Sequence, residues 1–528
     1  MRQKYISKSE RDIHYQEVSM QKIEEHNQNF MKLQKEKYRS YFDNMFQMID
    51  PNIRLDQEQI EAIIVDEDYE MIIAGAGSGK TTTMAAKVKY LVEIQKVPPN
   101  QIMIISYTNE AVNELKDRIQ KGFKIPVEIA TFHKLCLNIL KQQQKQYQII
   151  EDHYRIIKKY FQKKRKYYHR YLFYHHFKTY LLYFFKNYIL EEDIKLCVDF
   201  INRFQTNGYE NFQEFLNKYN KKRKILSFLL LAQDIMYFYQ DYLKKNEMID
   251  FDGMINQCYA ILDKTPLSYH YLIIDEYQDI SYIRFRLIHK IANLYHTKII
   301  VVGDDFQSIY SFSGSDLSLF VDFEKKMGYT KSLKITSTYR NSQELIDIIG
   351  SFVMKNPFQI SKQLSSFKHI SQPIILVEYQ NNQIQKLKEV LEKIILTYSS
   401  NKNILLLGRY RHDISFLDSS FKIKQNKIQY LKYPQVDITF LTVHASKGLG
   451  FDNVVILNNQ DALYGFPSKV KDKPYLKILS LYSEKYPFAE ERRLFYVALT
   501  RTKNQVYLLY PKKNPSIFIT EIQKHLPK

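Results

Sequence analysis

The sequence predicts an α/β protein carrying two parallel sheets, and three observations predict it. Short apolar runs alternate with helical patterns along most of the chain, in two separate series. A glycine-rich segment, Ala74-Gly-Ala-Gly-Ser-Gly-Lys80-Thr81, stands between the first such run and a helical pattern, the setting a phosphate-binding loop requires. The composition is that of a chain that folds: 528 residues, 45% hydrophobic and 25% charged, which suits several domains of ~100 to 200 residues each.

The elements follow in chain order. From Met1 to Asp50 no Pro or Gly occurs, and Ile13, Val18, Ile23, Phe30, Leu33, Phe42 and Phe46 recur at helical spacing, so one or two helices end at Pro51. The first strand series reads 71–74, 102–106, 271–275 and 298–302. Between about Leu135 and Asn246 strand signals vanish and the chain turns helical, aromatic and basic. A second series reads 374–379, 404–408, 438–443, 454–457 and 506–510. The expected division is a helical arm (1–50), a first sheet domain (51–134 and 247–333), a helical insertion (135–246) and a second sheet domain (334–528). A cleft is expected between the two sheet domains.

Lys and Arg number 77 against 57 Asp and Glu, a formal charge of +20, which points to a polyanionic partner. The stretch from His153 to Leu190 has no Asp or Glu and carries basic clusters at Lys158, Lys159, Lys163 to Lys166 and Arg170 among Tyr and Phe. Such a stretch suits nucleic-acid binding, or equally a helical hairpin with an aromatic core and solvated lysines. Three scattered cysteines, Cys136, Cys197 and Cys258, exclude a disulfide scaffold or Cys-rich zinc site and fit a reducing compartment. The N-terminal residues are too polar for a secretory signal, and charged residues and histidines break the most apolar stretches. The expectation is a soluble, cytoplasmic protein with no membrane partner.

In the phosphate-binding loop, Gly75, Gly77 and Gly79, with Ala76 and Ser78 between them, let backbone N–H groups face phosphate oxygens at a helix start. Lys80 would neutralise phosphate charge, the Thr81 hydroxyl would ligate Mg²⁺, and Thr82 continues the helix. The second member is Ile273-Ile-Asp275-Glu276-Tyr-Gln-Asp279, two adjacent carboxylates at a strand end. Asp275 can hold Mg²⁺ while Glu276 orients and deprotonates water. Charge developing on a γ-phosphoryl group calls for cations from a second domain, and Arg340 in Thr338-Tyr-Arg-Asn341 and Arg501 in the segment from Glu490 suit that task. A single strand is gripped by aromatic faces and phosphate-tracking polar groups. Tyr107, Tyr310 and Phe312 are the candidate stackers, and Thr108, Asn109, Thr131, His133, Arg409 and His444 the candidate phosphate or base contacts.

With these segments quoted, the chain resembles a superfamily 1A DNA helicase of the UvrD/Rep group from residue 55 to about 503. Leu55-Asp-Gln-Glu-Gln59 resembles the Q motif, Ser106 to Ile119 motif Ia and Ala130 to Leu135 motif Ib. Val302 to Tyr310 resembles motif III, Leu441 to Leu449 motif V, and the Arg501 segment motif VI. The resemblance implies two RecA-like P-loop NTPase domains with a helical 1B insertion in the first. A 2B domain is not expected, because the 27 residues between Arg409 and Asp437 fall short of the ~50 a domain needs.

The resemblance also implies roles. Gln59 reads adenine, Tyr339 stacks on it, Gln307 senses the γ-phosphate, and Arg340 and Arg501 are arginine fingers. It implies ATP and Mg²⁺ as cofactors, and single-stranded DNA and single/double-strand junctions as partners, with 3′→5′ movement driven by ATP hydrolysis. A nuclease or repair protein is a further expected partner. The alternative is a DNA-stimulated ATPase subunit acting as a switch or translocase in a repair or phage-defence complex, without autonomous unwinding. Two positions depart from the group: Phe312-Ser-Gly314 replaces the Trp-Arg-Gly of many members, and Gly450 replaces a ribose-contacting Glu.

Overall fold

A computed structural model describes residues 4–8, 20–142, 147–163, 166–176, 190–398, 403–471, 473–479 and 484–526. Among them, β1 (Tyr69–Ala74), β2 (Ile102–Ser106) and β3 (Glu128–Thr131) come first. A two-residue pair follows, β4 (Gln148–Ile149) with β5 (Met248–Ile249). Then come β6 (Tyr271–Ile274), β7 (Lys298–Gly303) and β8 (Lys331–Ile335). The first sheet has the order β3-β2-β6-β7-β1-β8 and is parallel throughout. β1, β2 and β6 are buried along their whole length, which explains why they read as continuous apolar runs.

The second sheet contains β9 (Ile374–Tyr379), β10 (Ile404–Gly408), β11 (Phe421–Lys424), β12 (Lys427–Tyr430), β13 (Ile438–Thr442), β14 (Asn453–Ile456) and β15 (Val506–Pro511). Its order is β11-β12-β13-β10-β14-β15-β9. The expectation of a purely parallel second sheet is corrected here. β11 and β12 form an antiparallel hairpin, and β12 pairs antiparallel with β13. The hairpin lies within the stretch from Arg409 to Asp437, and its sequence, FKIK and KIQY, carries outward lysines that suit a solvent-facing edge.

Between β4 and β5 the described chain is helical: His153–Lys163, Lys166–His175, Glu191–Thr206, Phe212–Lys218 and Arg223–Lys245. Its aromatics form a core of their own, including Tyr160, Phe161, Tyr168, Tyr171, Phe200, Phe204 and Phe228, while Lys158, Lys159 and Arg170 are exposed. The side chains of the 163–166 cluster, and residues 177–189 of the same basic stretch, lie outside the described residues. A segment ahead of motif VI docks on this core. Tyr475 stacks on Phe228 at 4.5 Å, its hydroxyl meets His175 Nδ1 at 2.8 Å, and Asn207 donates to the Leu479 carbonyl at 2.7 Å. Among the described residues no helix is long and apolar enough to cross a membrane.

The N-terminal helix Met20–Lys37 and the turn after it also join a core. Phe30, Phe42, Met45 and Phe46 pack with Ile60 and Tyr90 beneath the first sheet. The helix Lys80–Glu93 that follows the phosphate-binding loop is tied down by its buried Lys87, which donates to the Ala62 and Val65 carbonyls and pairs with buried Glu70 at 3.0 Å. This geometry predicts that Lys87→Met, which strands the Glu70 carboxylate, destabilises the fold by about 3 to 5 kcal/mol. Denaturant unfolding checks it, and an unshifted midpoint would show that Glu70 finds another partner.

Candidate functional site

Every parallel strand of the first sheet delivers a loop to one edge, the C-terminal edge where open α/β sheets bind ligands. The phosphate-binding loop leaves β1, Tyr107 follows β2, Thr131 ends β3, Asp275 and Glu276 follow β6, Asp304 to Gln307 follow β7, and Thr336 to Arg340 follow β8. Opposite them stand Lys447 and Gly448 beyond β13, and Arg501 beyond the helix Ala489–Leu499. The phosphate-binding loop, Tyr107, Asp275, Glu276, Gln307, Tyr339, Arg340, Lys447, Gly448 and Arg501 line a cleft of about 510 Å³ between the two sheets.

The loop itself is built for phosphate. Gly77 and Gly79 take left-handed backbone conformations, φ +74° and +80°, which point successive N–H groups inward at the start of the helix. Gly77 must also lack a side chain, because a Cβ there would sit 2.6 Å from the Cβ of Arg340. The segment after β8 clamps the loop: Thr338 Oγ1 donates to the Ala76 carbonyl at 2.7 Å, and the Tyr339 N–H donates to the Gly77 carbonyl at 3.0 Å. Gln59 is buried, and its side-chain amide is already engaged. Its Oε1 accepts from the Asp56 N–H at 3.0 Å and its Nε2 donates to the Ser78 carbonyl at 3.2 Å. The Tyr339 ring is half exposed beside it, its hydroxyl donating to Asp56 at 3.2 Å.

Charges converge on the middle of the cleft. Lys80 Nζ lies 3.4 Å from one Glu276 oxygen and Lys447 Nζ 3.6 Å from the other. Lys447 also pairs with Asp279 and donates to the Gln307 carbonyl at 2.8 Å. Burial, then the Glu276 charge, pushes Asp275 up to about 7. Burial would push Glu276 up too, but Lys80 and Lys447 outweigh it and hold the carboxyl at about 2, ionised. Glu276 has a left-handed backbone at φ +49°, and its N–H donates to Asp275 Oδ1 at 2.9 Å.

Neither arginine has a carboxylate partner among the described residues; Arg501 is buried and Arg340 partly buried. Arg501 is 1% exposed. Its guanidinium donates to neutral acceptors: the Val497 carbonyl at 2.9 Å, the Leu449 carbonyl at 3.1 Å, Thr500 Oγ1 at 3.0 Å and Gln307 Oε1 at 3.3 Å. Burial, then the neighbouring Arg340 charge, lowers it to about 9. Burial lowers Arg340 as well. Gly450 adjoins Arg340, and a Cβ there would lie 3.4 Å from Arg340 Nε, an ordinary contact distance. Ser78 Oγ is buried without a hydrogen-bond partner inside the loop. A glycine cradle, an orphaned hydroxyl, two unpaired guanidinium groups, the Thr81 hydroxyl and the Asp275 carboxylate form a donor set that fits a magnesium-bearing triphosphate.

The candidate nucleic-acid residues divide. Tyr310 and Phe312, on the loop after Gln307, come together with His444 from the turn after β13, with ring centroids 5.4 to 6.1 Å apart, and Phe312 is 54% exposed. Burial, then Arg409, lowers His444 to about 4, so it is neutral. His133 faces a groove shared with Phe312, Arg203 and Arg284 beside the helical region. It packs on Phe251 at 4.4 Å, and burial lowers it to about 4. Asn109 is exposed at the head of the helix Asn109–Lys116.

Four of these expectations need correction because the side chains are already engaged. Tyr107 lies in the nucleotide cleft, its ring against Phe132 at 5.7 Å and under Arg284, rather than with Phe312. Thr108 and Thr131 cap the helices that follow them, accepting from the Ala111 and Lys134 N–H groups. Arg409 is clasped by both oxygens of Glu491 at 2.8 to 3.2 Å.

Sequence reasoning passed over Lys447, Asp279 and Asp304. All three stood inside quoted segments: Asp279 after the paired carboxylates, Asp304 in Val302 to Tyr310 and Lys447 in Leu441 to Leu449.

Residues 55–328 match the family model described as the UvrD/REP helicase N-terminal domain. The chain belongs to the UvrD/REP helicase family. DNA helicase IV of Escherichia coli is 27% identical over 529 residues, covering 95% of this chain and 74% of that protein. A probable DNA helicase of Mycoplasma pneumoniae is 25% identical, covering 86% of this chain and 83% of its own length. The ATP-dependent DNA helicase PcrA of Staphylococcus aureus is 27% identical over 57% of this chain and 40% of its own length.

For a member of this family, the unpaired guanidinium groups predict that Arg501→Ala and Arg340→Ala each lower kcat for ATP about 10³-fold, the range of arginine fingers. Steady-state ATPase assays on the folded variants check this. Retention of full activity would remove that arginine from the site.

Proposed function

We propose that the chain is an ATP-dependent DNA helicase and translocase, moving 3′→5′ on single-stranded DNA by hydrolysing ATP between two RecA-like domains. The observation that carries the proposal is a pair of guanidinium groups with no carboxylate partner among the described residues, partly buried Arg340 on the loop after β8 and buried Arg501 from across the cleft, both lining the pocket of the phosphate-binding loop. The family and its DNA helicase relatives support the same reading.

In this reading the loop N–H groups and Lys80 bind the β- and γ-phosphates, and Tyr339 stacks on the base. Thr81 and Asp275 would hold Mg²⁺, which when bound neutralises phosphate charge. Glu276 orients the attacking water and takes its proton. Lys80 and Lys447 hold Glu276 strongly acidic in the nucleotide-free protein; once Lys80 turns to phosphate, that grip loosens and the carboxylate becomes a better base. Arg340, Arg501 and Gln307 stabilise charge on the transferred group. The loop bearing Gln307 continues directly into Tyr310 and Phe312, so phosphate loss can move the groups that stack on bases.

The domain reading follows, with its last boundary moved from 333 to the end of β8, because Lys331–Ile335 pairs with β1. Residues 51–134 and 247–335 form domain 1A, 135–246 a helical 1B insertion and the chain beyond β8 domain 2A, with the described part of the arm, from Met20, packed on 1A. The absence of a 2B domain is supported by the stretch from Arg409 to Asp437, whose β11–β12 hairpin is spent on the edge of the second sheet. Junction DNA and a nuclease or repair protein are the proposed partners.

Glu276→Gln should keep ATP and DNA binding but remove turnover, because the amide can hold water yet not accept its proton. Single-turnover hydrolysis with a bound oligonucleotide tests it; near-normal rates would sink the base assignment. Phe312→Ala should cost about 1 to 3 kcal/mol of single-strand affinity, the value of one stacked base, and reduce strand displacement while basal ATPase persists. Anisotropy with a labelled oligonucleotide and a displacement assay read both, and equal affinity would show that Phe312 contacts no base.

A further inference from the structure

Between the helix Gln343–Val353 and β9 the chain runs back across the first sheet. Leu364 lies over the phosphate-binding loop, where a Cβ on Gly75 would approach it to 2.6 Å. Four residues earlier in this crossing, the Ile360 N–H donates to Asp305 Oδ2 at 2.7 Å. Between these two points sits Lys362, its side chain 1% exposed, with its ammonium bonded to Asp304 Oδ1 and, at 2.7 Å, to Asp305 Oδ1. The same ammonium lies 3.9 Å from the centre of the Phe306 ring.

We propose that Lys362 is a positioning residue for hydrolysis: it fixes Asp304, and through Asp304 it fixes Gln307 against Arg501. The inference rests on the reading of Gln307 as the γ-phosphate contact. The relay is short. Asp304 Oδ2 accepts from Gln307 Nε2 at 2.6 Å, which turns Gln307 Oε1 toward Arg501 Nη2 at 3.3 Å. Asp304 is fully buried, so its charge needs a cation, and Lys362 is the one that touches it. Remove that cation and Asp304 either takes up a proton or draws other donors. Either way the acceptor that orders the Gln307 amide changes. Asp305 has a different job. It ties the crossing segment down through Gln359 and Ile360, and Arg493 reinforces this by donating to Gln359 Oε1 at 3.1 Å and to the Ser308 carbonyl at 2.6 Å.

The test compares Lys362→Gln, Asp304→Asn, Asp305→Asn and Gln307→Ala by steady-state ATPase with single-stranded DNA, binding of a non-hydrolysable triphosphate against ADP, and thermal melting. Lys362→Gln and Asp304→Asn should each lower kcat about 10²-fold, as expected for a contact displaced by about 1 Å, with KM for ATP unchanged. Both should bind the non-hydrolysable triphosphate and ADP about as tightly as wild type. Asp305→Asn should lower the melting temperature while kcat stays near wild type. If Gln307→Ala hydrolyses ATP normally, the γ-phosphate reading fails and takes this inference with it. If Gln307→Ala is impaired while folded Lys362→Gln keeps its kcat, the positioning role alone is overturned. Should Lys362→Gln not fold, Asp304→Asn decides: a 10²-fold loss at constant KM supports the relay, and wild-type kinetics overturn it.

Discussion

Two guanidinium groups with no carboxylate partner among the described residues, buried Arg501 and partly buried Arg340, set the terms for the rest of this structure. A charge taken out of water is costly unless paired, yet Arg501 is 1% exposed and meets only carbonyls, a hydroxyl and an amide. Such an arrangement persists where the surrounding fold holds it in place. The fold does so from several directions. The helix Ala489–Leu499 is buried nearly throughout, and Arg340 is packed against Gly77, where a side chain would crowd it.

Everything on the first-sheet side is arranged to receive that charge. The parallel strands bring the phosphate-binding loop, Asp275, Glu276 and Gln307 to one edge, and Lys80 and Lys447 take up Glu276 while phosphate is absent. Excess positive charge in the cleft is thereby partly occupied until a nucleotide enters. The second sheet contributes more than arginines. The crossing segment with Gln359, Lys362 and Leu364 grips the loops after β1 and β7, so the groups that face the γ-phosphate are held from both sheets at once. The Tyr475 segment makes a second link, fastening the helical region to the chain ahead of motif VI.

What was legible in the sequence was local. The phosphate-binding loop, the paired carboxylates and the two arginines could be read because each sits in a short segment whose chemistry is complete in itself, next to an apolar strand. Less visible were elements whose meaning depends on distant partners. β8, KSLKI, is half exposed and carries two lysines, so it did not read as a strand, and the β11–β12 hairpin was hidden by its charged edge. Thr108, Thr131 and Arg409 looked like nucleic-acid contacts because nothing local betrayed their caps and ion pair. Lys362 gave no signal at all, since its meaning comes from Asp304 and Asp305, 57 or more residues away in sequence.

If the two arginines await a γ-phosphate, a triphosphate must order the cleft in a way that a diphosphate cannot. Hydrogen exchange of the wild-type protein, measured over residues 304–310 and 338–341 with Mg²⁺ and either a non-hydrolysable ATP analogue or ADP, reads this directly. Strong added protection of both segments by the triphosphate, with little from ADP, is the predicted result. Equal protection by the two nucleotides would contradict it, because the arginines would then be indifferent to the phosphate they are proposed to meet.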